Sequence, residues 1–271
     1  MREVLVLAAA VLVLALAVPA HADGPAAKDS AALNAANVSV DPTPAAATAV
    51  PAAAPIVIGF VGGFIRHDDN VHSTVILARN LQRQYAGTVH VETFENRRLS
   101  DARAMVLKLL AHGHSNGPTA DEKRNARVIV YGHSWGASAT IALARLLQSD
   151  GIPVLLTVQV DSVAKPGNDD AVIPGNVEHA ANFYQDNGFP RGQPRIRAAD
   201  ASRTQILGNF RVDYNVKPVA CPDYPWIART FMKSHIEIEC DPAVWHKVED
   251  LIRAQLPATA ANAATPGSES Q

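Results

Sequence analysis

Hydrophobic and polar residues follow two alternating patterns between residues 55 and 160. Short apolar runs rich in valine and isoleucine, typical of buried strands, occur at 55–61, 127–131 and 153–160, and an alternating segment at 88–94 predicts another strand. Segments with apolar residues at helical spacing lie between these strands, at 71–85, 100–112 and 135–148. This order predicts an α/β fold in which a mostly parallel sheet is flanked by helices on both faces.

The pattern becomes irregular after residue 160. Residues 163–192 are rich in Gly, Pro, Asn and Asp, with one amphipathic stretch at 177–184. This composition predicts an irregular excursion of the chain over the active site. Whether residues 163–200 form a lid stays open. Scattered apolar residues between 196 and 212 predict short strands or edges. A last helix is expected to begin at Asp241 and Pro242 and to continue through Ile252, with Asp241 as its N-cap. Ser100 is the N-cap expected for the helix at 100–112.

The two ends of the chain differ from its centre. Residues 1–22 have the pattern of a secretory signal, with Arg2, an apolar run from 4 to 18 and an A-x-A cleavage site at 20–22. An uncleaved anchor is the alternative, but a spanning helix needs about 20 apolar residues. We therefore expect export to the periplasm or the extracellular space, with no stable membrane span after cleavage. Residues 23–55 and 257–271 are rich in alanine and proline and predict a disordered linker and tail. One globular domain remains, at 56–256.

Charge and cysteine content narrow the function classes. The chain has 24 basic and 26 acidic residues, a net charge of −2, and its basic residues are scattered, so it shows no footprint for nucleic acid or an anionic membrane. Its two cysteines are Cys221 and Cys240. In an exported protein such a pair favours a disulfide, with two buried free thiols as the alternative.

The strongest local motif is Gly132-His133-Ser134-Trp135-Gly136, between a predicted strand and a predicted helix. This is the G-x-S-x-G pattern of a nucleophile elbow, a strained turn that exposes the serine hydroxyl and needs small neighbours. A flexible loop is the simpler interpretation, but the flanking strand and helix favour the elbow. The motif predicts Ser134 as a nucleophile.

A serine nucleophile needs a base, and with such an elbow the acid and then the histidine follow the serine along the chain. Three histidines lie after Ser134: His179, His235 and His246. His246 falls on a polar side of the last helix, and His179 lies in the irregular excursion. We expect His235 to be the base because it is placed in a loop just before the final helix, where its side chain can reach across the sheet.

The acid is expected to be Asp161. It follows the buried strand at 153–160 directly, and open α/β sheets build their sites at the carboxyl ends of strands. A turn-capping role is the simpler interpretation for any such aspartate. The alternatives lie on less regular segments: Asp169, Asp170, Asp200 and Asp213.

Three further features bear on the predicted chemistry. The oxyanion of acyl transfer needs backbone donors, which we expect to be the N–H of Trp135 and an N–H from Gly63 or Phe64 in the Gly-Gly loop after the first strand. The cluster of His67, Asp68, Asp69 and His72 matches no metal-binding spacing. His112-Gly113-His114 is typical of a helix end. The sequence therefore predicts no metal and no cofactor.

These motifs resemble those of α/β-hydrolase fold enzymes of the serine esterase and lipase type. The resemblance covers residues 55–256 and depends on GFVGGF at 59–64, GHSWG at 132–136, VDSV at 160–163 and KSHIEIECDPAVW at 233–245. It implies hydrolysis of a small-molecule ester or thioester through a serine acyl-enzyme. Many such enzymes carry their acid one strand later. Two alternatives stay open, a non-catalytic binding protein on this scaffold and an acyltransferase with the same triad.

Overall fold

Strands and helices alternate along the first part of the computed structural model, which describes residues 53–258. The four predicted strands are present, as β1 (Ile56–Val61), β2 (His90–Glu95), β3 (Val128–His133) and β4 (Val154–Val160). The helices among them are α1 (Ser73–Gln84), α2 (Leu99–Leu110), α3 (Ala120–Arg124) and α4 (Trp135–Ser149). The predicted signal segment, nearly all of the linker and most of the tail lie outside the described residues.

The region after residue 160 is more regular than its composition indicates. It contains the strands β5 (Val172–Ile173), β6 (Val177–Tyr184), β7 (Arg197–Ala198) and β8 (Gln205–Arg211). Three helices follow, α5 (Trp226–Phe231), α6 (Lys233–Cys240) and α7 (Pro242–Arg253). The prediction of an irregular excursion through residue 192 is therefore wrong for β6, a full strand of the main sheet. Four consecutive residues of β6 are buried, so this strand lacks the alternation of apolar and polar residues that is typical of a strand with one exposed face.

The main sheet has six strands in the order β2-β1-β3-β4-β6-β8, and all five neighbouring pairs are parallel. Strands β5 and β7 form a separate pair. Because the strands are parallel, the carboxyl ends of β3, β4 and β6 lie side by side at one edge. Open parallel sheets bind their ligands at this edge.

Both faces of the sheet are covered by apolar packing. Ile58 and Val130 pack in one cluster with residues of α2 and α4, whereas Val57 and Ile129 pack in the other with residues of α1 and α7. Successive side chains of a strand point to opposite faces, so strands that are apolar at every position need helices on both. The predicted fold class is confirmed.

The two predicted helix caps have different outcomes. Asp241 does cap α7, because its carboxylate accepts a hydrogen bond of 2.9 Å from the Ala243 N–H. Ser100 is not the N-cap of α2, which begins one residue before it, at Leu99, after Arg98. Leu99 packs against the core, and this contact extends the helix past the serine. Within residues 53–258, no helix combines the length and apolar character required to cross a membrane.

Candidate active site

The turn between β3 and α4 has the strained conformation that its sequence predicts. Ser134 has φ 58° and ψ −127°, a region that side chains with a Cβ rarely adopt. Its small neighbours are required by contact: a Cβ on Gly136 would lie 2.1 Å from the Phe60 carbonyl oxygen. A Cβ on Gly132 would lie 2.6 Å from the Gly136 carbonyl oxygen. The backbone thus projects the Ser134 hydroxyl from the end of β3.

Sheet register brings two predicted side chains together, and a third lies between them. His133 pairs with Val160, so the next residues on the two strands, Ser134 and Asp161, lie beside each other. His235 lies between them, with Nε2 2.9 Å from the Ser134 Oγ and Nδ1 2.6 Å from the Asp161 Oδ2. Since Asp161 in its ionised form only accepts, Nδ1–H donates to it, and Nε2 accepts from the serine hydroxyl. This is the geometry of a Ser-His-Asp triad.

All three residues are buried, and two of them have a strained backbone. Ser134 is 9% exposed, His235 4% and Asp161 fully buried. Asp161 also has a positive φ, 46°, which non-glycine residues rarely adopt. Among residues 53–258, the other non-glycine positions with positive φ are Ser134 and His112. Such strain persists only where the surrounding structure enforces it, and two of the three positions lie in this site.

The base lies in a different element from the one predicted. His235 belongs to the helix α6 rather than to a loop. The predicted disulfide between Cys221 and Cys240 is present, so the alternative of free thiols is wrong. Cys240 ends α6, and the bond ties this end to the segment before α5. The helix that carries His235 is therefore covalently anchored.

The rival histidines lie elsewhere. His179 is on β6, and its Nδ1 lies 3.3 Å from the Leu155 carbonyl oxygen. His246 is exposed on α7. Neither makes a hydrogen bond to Ser134 within the part of the chain that the structure describes.

The rival aspartates have local roles. Asp170 is buried and accepts a 2.6 Å hydrogen bond from the Ser162 hydroxyl, and burial raises the pKa of Asp170. The other three accept hydrogen bonds from backbone N–H groups two residues ahead, as turn-capping residues do; they are Asp169, Asp200 and Asp213.

Sequence reasoning missed the residues that hold Asp161. Gln185, fully buried just after β6, donates from its side chain to Asp161 Oδ2 at 2.9 Å and from its backbone to Oδ1 at 3.1 Å. The backbone of Gly192 packs against the same carboxylate, since a Cβ on Gly192 would lie 2.0 Å from Asp161 Oδ1. The carboxylate is thereby held in one orientation toward His235. Recognising 177–184 as a strand would have pointed to Gln185 at its carboxyl end.

The Gly-Gly loop lies against the nucleophile. A Cβ on Gly62 would be 2.9 Å from the Ser134 Cβ. Asn96, which sequence reasoning also missed, donates to the carbonyl oxygens of Val61 at 3.2 Å and Gly63 at 2.6 Å. The loop beside the serine is therefore held by a side chain from the end of β2. Gly63 has φ 46°, which glycine adopts readily.

The other predicted oxyanion residues are close to this loop. The Phe64 ring packs edge-on against Trp135, with 5.6 Å between ring centroids. Trp135 is the first residue of α4, and the N–H groups of a first helical turn have no partner within the helix. Lys165 donates to the Asn96 side chain, and its Nζ lies 5.4 Å from the centre of the Trp135 ring. The loop and the start of α4 thus border the serine, and Lys165 lies beside the Trp135 ring.

The cluster around residue 67 is divided between two carboxylates. His67 Nδ1 lies 3.0 Å from Glu95 Oε1, whereas His72 Nδ1 lies 2.6 Å from Glu239 Oε1. Neither partner could be predicted from sequence, because both are distant along the chain. Among residues 53–258, no group of three or more His, Cys, Asp or Glu side chains is arranged to hold a metal ion.

Comparison with known proteins yields structural similarities only. No family model and no curated protein matches the chain. A thermostable esterase from Pseudomonas putida is 13% identical, with a TM-score of 0.42 over 78% of this chain and 77% of that one. A cutinase-like protein from Cryptococcus is 12% identical, with a TM-score of 0.38 over 77% and 99%. Est1E from Butyrivibrio proteoclasticus is 12% identical, with a TM-score of 0.37 over 76% and 89%.

The fold assignment therefore depends on the chain's own topology. The strand-elbow-helix unit at Ser134 lies in a parallel sheet covered by helices on both faces. Asp161 and His235 follow the serine in the order that this unit requires and meet it in space. The chain has the α/β-hydrolase fold.

Proposed function

We propose that this protein is a serine hydrolase that cleaves carboxylic esters or thioesters through an acyl-enzyme on Ser134. The observation that carries the proposal is the continuous hydrogen-bonded chain from Ser134 Oγ through His235 to Asp161, at 2.9 and 2.6 Å. A serine hydroxyl is a weak nucleophile unless a base accepts its proton. Here the base is in contact, and a buried carboxylate orients it.

In the first half of the reaction, the Ser134 Oγ attacks the carbonyl carbon of the substrate while its proton moves to His235 Nε2. The carbonyl oxygen becomes an oxyanion, which accepts hydrogen bonds from the Trp135 N–H and from the N–H of Gly63 or Phe64. One such donor contributes about 10²–10³ in rate. The carbon–oxygen or carbon–sulfur bond of the leaving group then breaks, and His235 protonates that group.

In the second half, water attacks the acyl-enzyme and His235 accepts its proton. The second tetrahedral intermediate collapses, the proton returns to Ser134 Oγ, and the carboxylic acid leaves. Asp161 stays ionised throughout, keeps the His235 proton on Nδ1 and stabilises the imidazolium. These steps need only the protein's own groups and water.

We also propose that the protein acts outside the cytoplasm. A disulfide is stable in an oxidising compartment, and Cys221 and Cys240 form one. This bond supports export, which the pattern of residues 1–22 predicts. Small-molecule esters outside the cytoplasm are then the substrates.

A panel of p-nitrophenyl esters from short to long acyl chains tests the function. Ser138→Ala is the matched control, because Ser138 is a buried serine on α4, the helix that follows Ser134, and its hydroxyl accepts a hydrogen bond from Asn168 instead of contacting His235. We expect turnover by the wild-type protein and Ser138→Ala, and a loss of about 10⁴–10⁶ in kcat for Ser134→Ala. Hydrolysis of none of the esters by folded protein would contradict the proposal and favour a binding protein. Ester products formed only with an added alcohol would favour an acyltransferase.

A further inference from the structure

A second buried network of ionisable side chains lies beside the proposed triad. Glu239, in the last turn of α6, faces two imidazoles, with Oε1 2.6 Å from His72 Nδ1 and Oε2 3.4 Å from His133 Nδ1. The Glu239 and His133 side chains are each only 2% exposed. One carboxylate thus connects the segment before α1 to the elbow residue next to Ser134.

His133 connects this carboxylate to the proposed base. Its ring lies against that of His235, with 4.6 Å between centroids and 35° between planes. Among the described residues, neither ring nitrogen of His133 has a hydrogen-bond partner. Burial lowers the pKa of His133 to about 4, so this ring is uncharged at neutral pH. It therefore acts as a neutral spacer between Glu239 and His235.

The helix places Glu239 and His235 on one face. They are four positions apart on α6, and residues at that spacing are neighbours on a helix surface. The carboxylate therefore acts on His235 from its own helix, and the His133 ring contacts both. Asp161 contacts His235 through Nδ1. The proposed base thus has one carboxylate in direct contact and a second one turn along its own helix.

The charge state of the network follows from its contacts. Burial disfavours ionisation of Glu239, but attraction by the neighbouring imidazoles and the hydrogen bond with His72 lower the pKa of Glu239. Burial likewise opposes protonation of His72, but the Glu239 hydrogen bond and charge raise the pKa of His72. Asp69 Oδ2, 3.8 Å from His72 Nε2, and the Tyr224 ring, 5.3 Å from the His72 ring, complete the surroundings. At mildly acidic pH, Glu239 is an anion and His72 a cation.

On the basis of the proposed function, we propose that Glu239 is a positioning residue for the reaction, whose buried negative charge favours the protonated form of His235 through the adjacent His133 ring. Each proton transfer from serine or water turns neutral His235 into an imidazolium in a largely buried site, where His235 is only 4% exposed. A nearby anion stabilises that cation more strongly there than in solvent. His72 sets how much of the anion's charge His235 experiences, because it balances Glu239 from the opposite side.

A purely structural role is the competing explanation, in which Glu239 only ties α6 to the segment before α1. Glu237 provides a matched control for that role. It is on the same helix, is 3% exposed, and accepts a 3.3 Å hydrogen bond from the Val219 N–H instead of facing an imidazole. Glu237→Gln and Glu239→Gln both remove a buried carboxylate from α6. Only Glu239→Gln removes the charge next to His133 and His235.

The direct test is an NMR titration of the His235 ring in the full-length protein. We expect Glu239→Gln to move the titration midpoint about one pH unit lower, because the anion that favours protonation is lost. Glu237→Gln should leave the midpoint in place. His72→Gln should move it higher, because the balancing cation is lost while the Glu239 charge stays. These opposite directions cannot come from a general loss of packing.

Steady-state kinetics provide a second test of the same charge coupling. For Glu239→Gln, the acidic limb of the kcat/KM profile should follow the midpoint to lower pH, and kcat should fall about tenfold with little change in KM. Equal midpoints in wild type, Glu239→Gln and His72→Gln would overturn the inference. If Glu239→Gln fails to fold, an unmoved midpoint in His72→Gln overturns it. The NMR midpoint can be measured without turnover. If the midpoints shift as expected but the protein hydrolyses no ester, the proposed function is refuted and the charge coupling is not.

Discussion

Replacement of Gln185 by methionine tests whether the buried support of Asp161 matters for catalysis. Methionine keeps the length and unbranched shape of glutamine but has no amide. The change removes the 2.9 Å hydrogen bond to Asp161 Oδ2, the 2.8 Å hydrogen bond to the Pro190 carbonyl oxygen and the acceptor for the Asn187 N–H. The backbone N–H of residue 185 still donates to Asp161 Oδ1.

The structure sets the size of the effect. A hydrogen bond to a buried charged group contributes about 1.5–3 kcal/mol. With the Gln185 amide gone, Asp161 Oδ2 keeps only its bond to His235 Nδ1, so the carboxylate can rotate and the imidazole loses its fixed orientation. If one such bond is lost from the transition state, kcat falls about tenfold to a hundredfold, since each 1.4 kcal/mol is a factor of ten. KM should change little.

Gln159→Met is the matched control. Gln159 is equally buried, lies two positions before Asp161 on β4, and donates a single 3.1 Å hydrogen bond to the Asp170 carbonyl oxygen. Both variants are measured by urea denaturation and by initial rates on the best p-nitrophenyl ester. Both should lose about 1–3 kcal/mol of unfolding free energy. Only Gln185→Met should lose kcat. A wild-type kcat in folded Gln185→Met would refute the reasoning, as would equal losses of kcat in the two variants.

Three further outcomes follow from individual contacts. Burial lowers the pKa of His133 from 6.5 to about 4. Between pH 4 and pH 6.5, the unfolded chain therefore binds a proton at this residue that the folded chain does not. The free energy of unfolding should fall by about 3 kcal/mol from pH 7 to pH 4. Urea denaturation of His133→Asn should show a smaller fall, and parallel curves would contradict this. Gly136→Ala places a Cβ 2.1 Å from the Phe60 carbonyl oxygen, so we expect insoluble protein or a clearly lowered melting temperature; unchanged melting would contradict the contact. Replacing Cys221 and Cys240 by serine should cost about 3 kcal/mol in urea denaturation, because the bond closes a loop of 19 residues; equal unfolding free energies would refute that.

The parts of the fold that sequence predicts are those set by local pattern. Strands β1, β3 and β4 are apolar runs, and the elbow motif needs its small residues at fixed spacing. Strand β6 was missed because its first half includes Glu178 and His179 and its second half is buried on both faces. Helix α6 was missed because Ile236 and Ile238 alternate with glutamates in a strand-like pattern. Its position depends on the disulfide and on tertiary packing.

The same division applies to the site. Ser134 and Asp161 were predicted from the elbow and from a strand end, and His235 from chain order and an expected loop position; the three side chains meet in the structure. Their supporting residues carry no local signal, because Gln185 and Glu239 matter only through contacts with side chains far away in the sequence. Sequence reasoning therefore predicts which groups meet at the candidate site. It does not predict what holds them or which charges act on them.

The central claim is that the Ser134 hydroxyl carries the acyl group. Rapid mixing of the protein with excess p-nitrophenyl ester, followed by acid quenching and peptide mass mapping, tests it most directly. We predict an initial burst of about one p-nitrophenolate per chain, with the acyl mass on the peptide that contains Ser134, and neither signal in Ser134→Ala. Steady turnover with the acyl mass on another residue, or a full burst from Ser134→Ala, would contradict the account.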